Sequence, residues 1–327
     1  MENDVTLRLR GSRRSSLLFG ENVPRDSPQE YFMSPRFLWI ASAVVVPTAL
    51  LSFAYRSTAQ TLQTPPPPGT LATGGNLRNP PAPKAEPKPE PVGLPNPAQI
   101  AELVLANHIL ATEDVLGAYG HISVRDERNP DHYLLSQHIP PELVTAADIV
   151  EYDMESDPAR ETKLVGYSER FIHGQIYKAR PDVKAIIHFH APELLPFGAT
   201  GVPLRPMTHM AGFLPAVVPI FEIRKFGFKD MLVKDNDMGR ALAKTLGDKP
   251  TALMRGHGAV VVADSVHVVA GRAYYMMINA KVQMQAMAMA TGGRKVMYFT
   301  PEEAATSSKL DGYERAWMLW AAKQKGK

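Results

Sequence analysis

Apolar and polar positions along this chain fall into three regimes. Residues 1–36 are rich in Arg and Ser and show no clear hydrophobic period. Residues 37–55 read FLWIASAVVVPTALLSFAY, 19 residues without a charge. At ~1.5 Å per residue such a helix reaches about 28 Å, close to the hydrocarbon thickness of a bilayer. Trp39 and Tyr55 stand near its ends, where interfacial aromatics belong. The pattern predicts a transmembrane or signal segment. Residues 56–97 follow as a Pro-rich linker, with 12 prolines in residues 60–97. Such a stretch cannot bury enough apolar surface to fold and favours extended polyproline II.

From Asn96 onward the periods of a folded domain appear, covering residues 98–327. Asn96 offers an N-cap, Pro97 suits the first helical position, and Gln99 is placed to close a capping box. Ile100, Leu103, Val104, Ile109 and Leu110 then predict a helix. HISVRD and HYLLSQ read as strands split by the turn Asn129-Pro130-Asp131. SERFIHGQIYKAR reads as a helix capped by Ser168, with Glu169 in its first turn and Pro181 closing it. VKAIIHFH and VVPIF read as strands, and DNDMGRALAKTLG as a helix stopped by Gly247. TALMRGH and GAVVVA are strand pieces around a Gly-rich corner. A long Ala- and Met-rich helix over 266–291 and a last helix carrying Trp317 and Trp320 complete the chain. Helices alternating with strands predict an α/β fold, a three-layer α/β/α sandwich.

Composition narrows the chemistry. The chain has no cysteine, which excludes disulfides, thiolate metal sites and a cysteine nucleophile. Any metal must be held by His and carboxylates. The net charge of +3 comes from residues 1–97, with 10 Lys+Arg against 7 Asp+Glu; residues 98–327 hold 26 of each. The folded part carries no basic footprint, so no nucleic-acid partner is expected. Arg8, Arg10, Arg13, Arg14, Arg25 and Arg36 precede the apolar segment, and only Arg56 follows closely. This asymmetry predicts a cytoplasmic N-terminal tail and a membrane-anchored domain outside the cytoplasm. Cleavage near Ala59 would instead release the domain to the periplasm or as a secreted product.

The histidines carry the candidate chemistry. In a strand, His188 and His190 emerge on one face and Phe189 on the other. Two neutral imidazoles side by side form half of a divalent-metal site; a solvated strand face is the plainer reading of that pair alone. His257, between Gly256 and Gly258 at the corner of two apolar strands, supplies a third ligand. Three His ligands with an open position mark a catalytic zinc site. Glu169, in the helix before the His188 strand, is the candidate acid/base; a dipole-favoured first-turn residue is its plainer reading.

GHISVRD, YSERFIHGQIYKARPDVKAIIHFH and LMRGHGAVVVA, in that order, resemble the class II aldolase/adducin family over roughly residues 98–295. The resemblance implies an α/β/α sandwich and a homotetramer with sites between subunits. It also implies a divalent ion on His188, His190 and His257, with Glu169 as catalytic acid/base. Zn2+ is the expected ion, with Mn2+, Co2+ and Mg2+ as alternatives. Three departures from the family's sugar-phosphate aldolases bear on the substrate. His121 follows Gly120 where those enzymes carry Asn, the Ser136 stretch replaces a Thr/Ser-Gly phosphate loop, and Tyr167 precedes Ser168. They point to a small non-phosphorylated hydroxy-carbonyl or hydroxy-carboxylate and to the family's decarboxylating members. Arg205 and Arg255 are candidates to hold a substrate carboxylate or to act as salt-bridge partners. His209 is a candidate proton donor or an ordinary surface histidine. His121 and Ser136 are placed to line the pocket, and His173 to orient Glu169 or simply pack. The expected activity is metal-dependent carbon–carbon lysis, by retro-aldol cleavage or decarboxylation. The alternative is an adducin-like, non-catalytic, membrane-associated scaffold.

Overall fold

The structure, a computed structural model, describes residues 93–308 apart from Phe228, and residues 312–326. The apolar segment 37–55, the tail before it and most of the linker lie outside these. No helix among the described residues is long and apolar enough to cross a membrane.

Helix α1 (Pro97–Thr112) begins as the capping residues dictate, with the Asn96 side chain accepting from the Ala98 amide at 3.0 Å. The capping box does not form. Gln99 is buried and its amide donates to the Arg125 carbonyl at 2.8 Å, fastening α1 to the sheet. Strands β1 (His121–Arg125), β2 (His132–Ser136) and β3 (Ile149–Asp153) form an antiparallel meander. Helix α2 (Phe171–Ala179) leads into β4 (Ala185–Phe189), and the short α3 (Leu195–Thr200) follows. Next come β5 (Ile220–Phe221), α4 (Asn236–Leu246), β6 (Thr251–Met254) and β7 (Gly258–Ala263). Helices α5 (Val266–Met289), α6 (Pro301–Ser307) and α7 (Glu314–Gln324) end the domain.

The strands form one mixed seven-stranded sheet in the order β3-β2-β1-β4-β7-β6-β5, antiparallel except for the β5–β6 pair. Side-chain alternation splits its core in two. Ile122, Val124, Ile187, Phe189, Val261 and Ala263 belong to one buried cluster, shared with α1, α5 and α7. Ile186, Val260, Val262 and Tyr133 belong to the other, shared with α2 and α4. Helices therefore cover both faces, and every residue of β1, β4 and β7 is buried.

Two expected boundaries move, and both matter for the site. Helix α2 starts at Phe171, with Arg170 as its N-cap residue and no side-chain cap; residues 168–170 form a turn before it. Ser168 is therefore not the cap, and Glu169 stands outside the helix. Strand β4 ends at Phe189, which leaves His190 just beyond it. Strand β3 and helices α3 and α6 have no counterpart in the sequence pattern above.

Candidate functional site

Register brings the first two histidines together. In the β1–β4 pair His121 stands opposite His188, and their ring centroids are 5.2 Å apart. His190 follows at the strand end, with its Nε2 3.1 Å from His188 Nε2. The corner between β6 and β7 delivers His257. Gly256 takes φ +65°, the left-handed conformation that glycine adopts without strain. Gly258 packs so closely on β4 that a Cβ there would lie 2.1 Å from the Phe189 carbonyl oxygen. This approach sets His257 Nε2 3.0 Å from His190 Nε2. Glu169, freed from the helix, completes the group, with Oε2 3.4 Å from His188 Nε2 and 3.3 Å from His257 Nε2. All four ligating atoms lie within 4.8 Å of one another.

Backbone groups fix the orientation of three of these side chains. His188 Nδ1 faces the Ala259 carbonyl at 3.1 Å, and His257 Nδ1 the Met231 carbonyl at 2.7 Å. A carbonyl only accepts, so both Nδ1 atoms carry the proton and both Nε2 atoms turn toward the centre. The Val233 amide donates to Glu169 Oε1 at 3.0 Å. Burial alone would raise the Glu169 carboxyl, but His188 and His257 outweigh it and hold it below the usual carboxylate range. Burial, then His188 and His257, push the His190 imidazole down to about 3, so the ring is neutral. Burial would also lower His257, yet its hydrogen bond to Glu169 and that residue's charge raise it instead.

This donor set fits a cation. In the neutral rings the lone pairs of His188 and His257 both face His190 Nε2, which offers one proton at most. A proton added to His257 answers the pull of Glu169 but leaves the other contacts unmatched. Donors ~2.0–2.1 Å from a tetrahedral ion lie about 3.3 Å apart. Four of the six spacings here are 3.0–3.4 Å, and all lie within 4.8 Å.

Beside the cluster opens a cavity of about 380 Å³, lined by Tyr119, His121, His138, Tyr167, Glu169 and His190 among others. The remaining candidates fall as follows. Ser136 is buried behind the cavity, its Oγ 3.3 Å from the Tyr167 hydroxyl. Arg255 is ion-paired with Glu222, and the Arg205 guanidinium lies 4.2 Å from the Tyr298 ring centroid. His209 is exposed and lines a different hollow with Tyr274 and Tyr313. None of these four lines the cavity at Glu169. His173 does not orient Glu169; it bonds His121 Nδ1 at 2.7 Å. Tyr119, His138 and Leu232 on the cavity wall, and the backbone groups of Met231 and Val233, were not among the residues expected from sequence. Backbone groups leave no sequence signal, because almost any residue supplies them. Tyr119 was within reach, being next but one to His121.

Residues 101–284 match the family model described as the class II aldolase and adducin N-terminal domain. The chain is 35% identical over 252 residues to the decarboxylase tropJ of Talaromyces stipitatus, covering 70% of this chain and 95% of that protein. It is 30% identical over 179 residues to 3,4-dihydroxyphthalate decarboxylase of Arthrobacter keyseri, covering 50% of this chain and 68% of that one. Among solved structures, the L-fuculose 1-phosphate aldolase of Glaciozyma antarctica superposes with a TM-score of 0.53 at 26% identity, over 69% of this chain and 86% of the other.

Proposed function

The chain belongs to the class II aldolase/adducin family as a lyase of that type, and on this premise we propose that it is a metal-dependent carbon–carbon lyase for a non-phosphorylated hydroxy-carboxylate or hydroxy-carbonyl. The observation that carries the reading is the convergence of His188, His190, His257 and Glu169. Decarboxylation is favoured over retro-aldol cleavage, because the relatives at 35% and 30% identity are both named decarboxylases.

A divalent ion on the three histidines, Zn2+ first among the candidates, would supply Lewis-acid stabilisation of the negative charge left when the carbon–carbon bond breaks. The chain's own residues do the rest. The Ala259 and Met231 carbonyls keep His188 and His257 in the tautomer that can ligate. Glu169, gripped at Oε1 by Val233, presents Oε2 to the centre of the cluster, where it would take up or return a proton. Tyr119, Tyr167 and the imidazoles of His121 and His138 give the substrate a cavity wall of flat rings. The homotetramer belongs to this proposal and rests on the family resemblance. A donor role for His209 requires such an assembly, since within one chain it lies away from Glu169. An adducin-like scaffold has no use for four converging ligand atoms, and their presence favours the enzyme.

Metal analysis of the purified protein tests the reading. The expected result is a stoichiometric divalent ion that His257→Ala removes together with activity. A metal-free but active protein, or a fully active His257→Ala variant, would sink it.

A further inference from the structure

Between β5 and α4, residues 230–234 supply none of the four ligating side chains, yet their main chain serves two of them. The Met231 carbonyl accepts from His257 Nδ1 at 2.7 Å, and the Val233 amide donates to Glu169 Oε1 at 3.0 Å. His257 comes from the β6–β7 corner and Glu169 from the turn before α2, so one short segment joins two separate parts of the cluster. Leu232, between the two contacts, lines the cavity. Burial fixes where the segment lies, because Val233 is fully buried in the core shared with α2 and α4. Burial does not fix how its peptide planes are turned.

The Asp230 side chain fixes one of those planes. Its Oδ1 accepts from the Leu232 amide at 3.0 Å, and its other oxygen is ion-paired with Lys234. Lys234 and the Leu232 amide together hold the Asp230 carboxyl below the usual carboxylate range, so it is ionised near pH 7. The Leu232 N–H and the Met231 C=O belong to the same peptide unit. That unit is planar and trans, so the two groups point in opposite directions. Asp230 therefore grips one end of a peptide whose other end orients His257. Turning this peptide would break both contacts at once, taking the N–H from Asp230 and the carbonyl from His257 Nδ1. Each of these bonds has a single possible direction, since an amide N–H only donates and a carboxylate or carbonyl oxygen only accepts. Asp230 does not line the cavity, and its side chain is 39% exposed.

We propose that Asp230 is a positioning residue: by pinning the Met231–Leu232 peptide it keeps the Met231 carbonyl on His257 Nδ1, and so keeps the Nε2 lone pair turned to the centre of the cluster. The pin itself is independent of the lyase reading; only its purpose, presenting a ligand to a divalent ion, rests on that reading. Without Asp230 the peptide can turn and His257 loses its acceptor. The ring is then free to take the other tautomer, in which Nε2 carries the proton and cannot ligate.

Nitrogen NMR of the full chain, labelled with 15N-histidine, reads the His257 tautomer before Zn2+ is added, at a pH well above the ordinary imidazole value. Nδ1–H is expected in the unmodified protein. Asp230→Ala should turn this into a mixture of tautomers and weaken Zn2+ binding about 10-fold, the lower end of the range for groups that orient metal ligands. Asp230→Asn should restore both, because its carboxamide oxygen still accepts from the Leu232 amide. Lys234→Met, which removes only the ion pair, should change neither. Thermal unfolding should hardly move in any of the three, since the side chains replaced lie at the surface. An Asp230→Ala variant that keeps Nδ1–H overturns the proposal. So does an Asp230→Asn variant as impaired as the alanine, which would assign the effect to charge and not to the pinned peptide. Zn2+ binding by the unmodified protein reports on the lyase reading separately. A protein that binds no divalent ion but shows the Asp230-dependent tautomer keeps the pin and loses the lyase; one that binds the ion with a tautomer indifferent to Asp230 does the reverse.

Discussion

Glu169 shows how a shift of two residues in a helix start changes a role. Placed in the first turn of a helix, a glutamate contributes about 0.3–1 kcal/mol through the helix dipole. Here the helix begins at Phe171, and the carboxylate is instead held between the Val233 amide and two imidazoles. In the proposed mechanism, Glu169→Gln keeps the ion, because three histidines remain, but removes the group that exchanges a proton. Turnover should fall roughly 10²–10⁴-fold at unchanged metal content. Loss of the ion at normal stability would make Glu169 chiefly a ligand, and an unchanged rate would remove it from the chemistry. The identity of these residues was legible because three histidine positions and a glutamate fall in motifs whose order matches the family, although the His188–His190 pair and Glu169 each had a plainer reading alone. The direction in which His173 points was not. Its helix position suited both Glu169 and β1, and only the start of α2 decides between them.

At the scale of elements, the site depends on how closely β7 approaches the end of β4. Gly258 allows that approach, since a Cβ there would also lie 3.1 Å from His190 Cα. Both obstructing atoms are backbone, so a flexible side chain cannot swing away to relieve the clash. Gly258→Ala should therefore cost about 1–3 kcal/mol of stability. It should also spread His190 from His257 and weaken metal binding more than Ala at an ordinary core glycine would. Thermal unfolding together with metal titration checks this; wild-type affinity in the variant would show that the corner tolerates a methyl group. The strands of this corner were readable as apolar runs flanking a Gly-His-Gly turn. Strand β3 was not: Val150-Glu151-Tyr152-Asp153 does alternate, but the run is short and two of its residues are acidic, a type depleted in strands. Glu151 is buried there beside His132 Nδ1 at 2.6 Å, a partner from the neighbouring strand that local sequence does not show. Helix α3 contains Pro196 and Gly198 and has no helical apolar period of its own. It forms where Gly198 can pack near the Arg255 backbone, a contact that local sequence does not encode.

For the whole molecule the open matter is where the domain works. Residues 98–327 carry equal numbers of acidic and basic side chains, so the domain has little electrostatic reason to adhere to an anionic bilayer. Attachment would have to come from residues 37–55. Six arginines before the apolar segment, against one close behind it, favour a cytoplasmic tail and an external domain. A chain without cysteine gains no disulfides from an oxidising compartment and meets no mispaired thiols there, so its chemistry suits either side. A reporter that folds only in a disulfide-permissive compartment, fused after Lys327, should then be active, and a cytoplasmic reporter at the same position silent. The apparent mass of the membrane fraction separates anchoring from release. A full-length product that stays with the membrane fits an uncut anchor, while a soluble product beginning near Ala59 fits signal cleavage. An active cytoplasmic reporter would refute the external placement and reassign the arginine-rich tail to some role other than orienting a membrane segment.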